Sequence, residues 1–178
     1  MKTDQEILAV LKKDTERGFR MLMETYKEQV YWHIRRLVVS HDDAEDATQE
    51  TFLRVFRFLS QFRGDSSFRS WIYRIATNEA LSALRRRQGA TVSLDDVTKQ
   101  VGTMEASGFF DYGDALAVKF QRAIQQLPPK QQAAFNMRYY DEMDYAEIAD
   151  TLGSSASSVK ANYHFAKEKI MKFMSNND

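Results

Sequence analysis

Between Arg63 and Arg87 the sequence sets six arginines against two acids and interleaves them with Phe68, Trp71 and Tyr73. Arginine anchors phosphates and aromatic faces stack on exposed bases, so these residue types together offer capture of single-stranded nucleic acid. A plainer reading fits the same residues: Trp71, Ile72 and Ile75 as core, and Arg85-Arg86-Arg87 as the cationic complement of a helix C-terminus. A second stretch, 143–174, reads as two helices and a tight turn. Tyr145, Ile148, Ala149 and Leu152 form one apolar stripe. Gly153 stops that helix and Ser154 and Ser155 can cap the next. Val159, Tyr163, Ala166, Ile170 and Phe173 form a second stripe, leaving Lys160, Ala161, His164, Phe165 and Lys167 outward or flanking. That is the pattern of a helix-turn-helix, whose second helix enters the DNA major groove. Residues 141–150 carry five acids and no Lys or Arg, whereas 154–174 carry four lysines and one glutamate. Only the second helix is then suited to approach phosphates. The alternative is a helical hairpin with a solvated lysine face.

Covalent and metal chemistry find little support. His33, His41 and His164 fall in unrelated contexts without metal-ligand spacing, and cysteine is absent. There is no phosphate-cradling glycine loop and no nucleophile elbow. The pairs Asp42-Asp43 and Asp95-Asp96 read as solvated acids. The expectation is a protein without catalysis, metal, cofactor or small-molecule substrate. The formal net charge of zero means that any basic surface is local. No apolar run approaches the roughly 20 residues of a membrane span. The start MKTDQEILAVLKKD does not resemble a secretory signal. Together with the missing cysteine, this suits a cytoplasmic location.

The elements that would position these residues are helical throughout. Residues 4–16 read as a short helix and Phe19 to about Val39 as a longer one. Five acids in 41–50 suit the positive end of a helix dipole, and Ala47, Thr51, Val55 and Phe58 carry that helix on to about Phe62. Residues 63–67 are a polar break. The next helix carries Phe68, Trp71, Ile72, Ile75, Ala76 and Ala80 up to the arginine run and Gly89. From 88 to 113 glycines gather, acids outnumber Lys and Arg, and no helical period persists, as in a linker. Helicity resumes near Asp114, and Pro129 opens a further helix after the break at Pro128. The expected fold is all-α: two small helical domains, 1–88 and 114–178, joined by a flexible linker at 89–113, with the helix-turn-helix in the second.

Three segments now call for one explanation. DDAEDATQETFLRVFRFLSQFRG, FRGDSSFRSWIYRIATNEALSALRRR and LPPKQQAAFNMRYYDEMDYAEIADTLGSSASSVKANYHFAKEKI, in that order, resemble bacterial RNA polymerase sigma factors, most closely the two-domain extracytoplasmic-function (ECF) group. The resemblance covers roughly 15–88 and 114–174. It implies a promoter-recognition subunit that binds core polymerase, on the β′ clamp helices and the β flap, and promoter DNA in both duplex and melted form. It also implies restraint by an anti-sigma factor. By the same resemblance Asp46, Gln49, Glu50, Arg54 and Val55 would face the β′ clamp helices. Phe62, Gly64, Asp65 and Ser66 would shape a pocket for a base flipped from the −10 element, and Asn78 would hydrogen-bond a second base. Trp71, Tyr73 and Arg74 would serve the melting face, with Arg85 and Arg86 on phosphates. At the −35 element Arg138 and Lys167 would bind phosphates, and Ser157, Ser158, Lys160, Ala161, His164 and Phe165 would lie at the DNA. The family commonly has arginine where this chain has Asn162 and Phe165. Phenylalanine cannot read guanine as arginine does, so altered or weaker −35 selectivity is expected. A rival reading, a stand-alone helix-turn-helix regulator, explains 143–174 but leaves 42–87 without a role.

Overall fold

The computed structural model describes residues 2–38, 40–86 and 115–176, and the linker expected at 89–113 and Arg87 lie outside them. The described residues form eight α-helices: α1 (Asp4–Leu11), α2 (Thr15–Leu37), α3 (His41–Phe58), α4 (Phe68–Arg86), α5 (Ala115–Gln125), α6 (Pro129–Tyr139), α7 (Tyr145–Leu152) and α8 (Ala156–Ser175). A single 3-10 turn, Leu59–Gln61, prolongs α3. The expectation of one helix over 4–16 is corrected. Lys12 ends α1, and Asp14 takes an extended backbone and caps α2 by accepting from the Arg17 amide.

Helix starts are written locally. The Thr3 and Glu6 side chains exchange hydrogen bonds with each other's backbone in a capping box, and Ser40 caps α3 by accepting from Asp43 N–H. At α4 a distant residue joins the cap. Ser67 Oγ accepts from Ser70 N–H at 3.1 Å, while Asp4 Oδ2 accepts from Phe68 N–H at 2.9 Å and Asp4 Oδ1 from the Tyr26 hydroxyl at 2.6 Å. The first helix thereby fixes the start of the arginine-aromatic helix. Gly18 lets α1 sit close: a Cβ there would lie 2.8 Å from the Leu11 Cα.

The first bundle buries Leu22, Val30 and Ile34 of α2, Ala44 and Val55 of α3, and Phe68, Ile72 and Ala76 of α4. The second bundle stands α5, α6 and α7 around α8. Met137, Met143, Ile148 and Val159 of this second part belong to the same buried cluster as Leu22 and Ile72 of the first. A smaller cluster, with Ile124, Phe135, Ala166 and Ile170, lies beneath α5. The two bundles therefore meet through a shared apolar seam, with α7 on α4 and α6 on α2.

Candidate polymerase and nucleic-acid interfaces

Three surfaces carry candidate function. The first is an open groove between α2 and α3. Its floor is Phe19, Met23, Phe52, Leu53 and Phe56, and its rim holds four acids, Glu24, Glu28, Glu45 and Asp46, against one lysine, Lys27. Leu53 and Phe56 are large apolar residues that stay half exposed, at 55% and 51%. Phe56 makes an edge-on contact with Phe19, ring centroids 5.0 Å apart. An apolar floor inside an acidic rim suits an amphipathic basic helix.

The second surface is α4 with the turn before it. Gly64 holds φ +81°, which a side chain would strain. Phe62 stacks on Phe68 at 4.3 Å and tilts against Trp71 at 5.0 Å, so these rings brace one another at the base of the turn. Gly64, Asp65, Arg74, Asn78, Arg85 and Arg86 are exposed, while Trp71 and Ser66 are partly so.

The third surface is the helix-turn-helix. Asp144 and Glu147 form a capping box that starts α7, Gly153 ends it in the left-handed conformation at φ 64°, and Ser155 starts α8 by accepting from Ser158 N–H. The buried stripe of α8 is Val159, Ala166 and Ile170. That burial leaves Ser157, Ser158, Lys160, Ala161, His164, Phe165 and Lys167 exposed on the outer side. The row is long enough, cationic enough and free enough to lie along a groove of duplex DNA.

Residues 22–90 match the family described as Sigma-70 region 2, and residues 117–170 match Sigma-70, region 4. The chain belongs to the extracytoplasmic-function group of RNA polymerase sigma factors. Curated relatives align nearly end to end. The RNA polymerase sigma-H factor of Pseudomonas aeruginosa is 29% identical, covering 95% of this chain and 92% of the relative. The ECF RNA polymerase sigma factor SigW of Bacillus subtilis is 26% identical, covering 91% of each. Among solved structures, CnrH in complex with the cytosolic domain of CnrY superposes with a TM-score of 0.76 at 19% identity, covering 99% of this chain and all of the other. The sigma factor RpoE of Bartonella quintana, in complex with the anti-sigma factor NepR, superposes at 0.68, again with 19% identity, covering 91% of this chain and 99% of the other. These two share the all-helical, two-domain fold. Like its family, this sigma factor binds core RNA polymerase and directs it to promoters.

Several residues sit differently from expectation. Val55 is fully buried, because it falls on the same α3 stripe as Ala44, Ala47 and Thr51, and so offers a docking partner no surface. Leu53 and Phe56 are instead the large apolar side chains that stay half exposed on the outer face. Their apolar types off the buried stripe were the available signal. Arg54 lies between Glu50 at 3.2 Å and Glu79 at 2.8 Å, tying α3 to α4. Arg138 donates to the Met143 carbonyl at 3.1 Å and lies over the Tyr145 ring, bracing the loop before α7.

Tyr73 departs most from a melting-face role, since its side chain is fully buried. Its hydroxyl donates to Asp141 Oδ1 at 3.0 Å, and its ring stacks on His33 at 4.6 Å. The Arg36 guanidinium stands 3.6 Å from the same Asp141 carboxylate and 4.4 Å over Tyr140. Burial pushes the Asp141 carboxyl up and the Arg36 guanidinium down from their ordinary values, so desolvation outweighs their attraction at this loose separation. His33 Nδ1 lies 3.9 Å from Asp141 Oδ2, too far for a hydrogen bond. Burial first, and Arg36 second, hold its imidazole down at about 3, so His33 is neutral and its approach to Asp141 is not an ion pair. Among the described residues no group of three or more His, Asp or Glu is arranged to hold a metal, and no helix is long and apolar enough to cross a membrane.

Proposed function

We propose that residues 1–88, the linker 89–113 and residues 114–178 divide this sigma factor's work as core docking with −10 opening, connection, and −35 recognition. The observation that carries the reading is the half-exposed pair Leu53 and Phe56 inside an acid-rimmed groove, on the same chain as a free helix-turn-helix face. The groove, with Asp46, Gln49 and Glu50, takes the clamp helices of β′. Asn78 and the turn Phe62–Ser66 take exposed bases, and Arg74, Arg85 and Arg86 take phosphates. In the second part Lys160, Ala161, His164 and Phe165 approach base edges while Ser157, Ser158 and Lys167 hold the backbone. Two modest DNA contacts on one chain reinforce each other when promoter spacing matches their separation. An anti-sigma factor restrains the protein, a reading supported by the relative that is bound to one. The protein itself performs no covalent chemistry and works in the cytoplasm beside the polymerase.

The test is a gel shift on promoter duplexes with and without core polymerase. Specific complexes that need the polymerase are expected. Tight, specific binding by the isolated chain would instead support the stand-alone regulator.

A further inference from the structure

Helix α1 carries none of the residues assigned to polymerase or DNA, yet it is firmly fastened. The Thr3–Glu6 capping box starts it, Ile7 is fully buried, and Gly18 makes room for Leu11 at its end. Asp4 reaches further, to two other helices. Its Oδ1 accepts from the buried Tyr26 hydroxyl of α2 at 2.6 Å, and its Oδ2 accepts from the N–H of Phe68, the first residue of α4, at 2.9 Å. Burial and the Asp4 bond hold the Tyr26 phenol well above its ordinary value, so it stays a donor. One carboxylate thus ties three helices together, with its charge at the positive end of α4.

The turn that shapes the −10 pocket runs from Phe62 to Phe68, and both of its ends bear on Phe68. Phe62 stacks on the Phe68 ring at 4.3 Å, while the Phe68 backbone is held by Asp4. Ser67 Oγ caps the Ser70 N–H and leaves the first amide of α4 to that carboxylate. A helix whose first amide loses its acceptor frays from that end. We propose that Asp4 is a positioning residue for −10 opening: it fixes where α4 begins and, through the Phe68–Phe62 stack, holds the turn Phe62–Ser66 in the shape that receives a flipped base. Helix α1 then belongs to the opening apparatus without touching DNA. The proposal rests on the reading of that turn as a base pocket. Flipping a base costs a few kcal/mol, which only a snug pocket offsets. Such precision needs support behind the contacting residues, since a misplacement of about 1 Å can cost roughly a hundredfold.

The experiment uses the full chain bound to core polymerase and reads, by anisotropy, its affinity for two labelled single strands. One carries the −10 bases that the wild type selects from a random library. The other differs at the one base whose preference is lost in Asp65→Ala, which identifies the base in the pocket. The ratio of the two affinities reports the pocket's shape. Asp4→Ala removes both bonds. Asp4→Asn removes the charge but keeps an oxygen for the Phe68 N–H and offers an amide that the Tyr26 hydroxyl can accept. Val30→Ala weakens the same bundle at a buried position away from the cap. Asp4→Ala should lower the ratio roughly tenfold with core affinity unchanged, Asp4→Asn should stay within about twofold of wild type, and Val30→Ala should keep the wild-type ratio. Circular dichroism shows whether Asp4→Ala folds. If it does not, Tyr26→Phe, which frees Oδ1 alone, decides in its place, with a fall of roughly threefold expected. An unchanged ratio in the deciding variant, a loss in Asp4→Asn as deep as in Asp4→Ala, or an equal loss in Val30→Ala overturns the proposal. Failure of the parent reading looks different: Asp65→Ala then leaves every base preference intact, the turn is no pocket, and the proposal falls with it.

Discussion

The Asp141 carboxylate of the second bundle accepts a hydrogen bond from the Tyr73 hydroxyl of α4, 3.0 Å away across 68 residues of sequence. Tyr73 is fully buried there, and burial holds its phenol well above the ordinary value with Asp141 adding to the effect. The residue that the family resemblance assigns to melting DNA is thus occupied by the chain itself.

The chemistry of that contact sets its sensitivity to substitution. Asp141→Asn removes a costly buried charge but keeps an acceptor for Tyr73, so global stability should change by less than about 1 kcal/mol. Asp141→Ala leaves Arg36 and Tyr73 without that partner and should cost about 2 kcal/mol or more. Urea unfolding of the two variants decides it. Equal losses would show that the charge itself holds the bundles together.

His33 predicts acid lability. Its folded pKa, about 3, lies below its ordinary 6.5, so the unfolded chain takes up the proton first as pH falls. The stability tied to neutral His33 is intact above pH 6.5 and is lost progressively from there down towards 3. Between pH 7 and pH 5 the wild type should lose about 2 kcal/mol on this account. His33→Gln retains a polar partner for Thr77, 2.7 Å away, and should flatten that slope. Parallel slopes for variant and wild type would contradict the assignment.

Three neighbours on α3 separate docking from folding. Leu53→Asp and Phe56→Asp alter half-exposed positions, so both variants should fold while their affinity for core polymerase drops by about tenfold or more. Val55→Asp puts a carboxylate into the core and should unfold the first bundle. Circular dichroism with a core-binding titration reads both effects. Normal core affinity in the first two variants would remove the groove from the docking surface.

On α8, Lys160 is exposed and lacks any acid partner among the described residues. Lys160→Ala should weaken duplex binding by the polymerase-bound protein and lower the salt slope of log K by about one unit. Phe165→Ala removes only apolar contact, so it should change sequence preference and leave the salt slope unaltered. A reduced slope for Phe165→Ala would contradict its placement at the base edges.

What could be read from the sequence was what is written locally. The helix-turn-helix stripes at 145–152 and 159–173, the Gly153 stop and the opening of a helix at Pro129 all follow from period and capping, and the structure has them. The break at Lys12–Asp14 carries no glycine or proline to mark it, and Asp14 declares itself a cap only through its bond to Arg17. Val55 shares its stripe with Ala47 and Thr51, a local sign of burial that runs against the surface role implied by the family resemblance. Arg69 and Glu147 lie 78 residues apart, and no local pattern pairs them. The acids of 141–150 were visible as a charge block, but the surface they cover became visible only once the bundles were packed.

On the proposed reading, α4 is the surface through which the chain opens promoters. The direct measurement is in vitro transcription with core polymerase on a promoter library, comparing wild type with Asn78→Ala, an exposed position. Initiation by the wild type at defined sites is expected, with Asn78→Ala losing promoter opening far more than polymerase binding. A wild type that yields no defined starts with core, yet binds duplex DNA on its own, would contradict it.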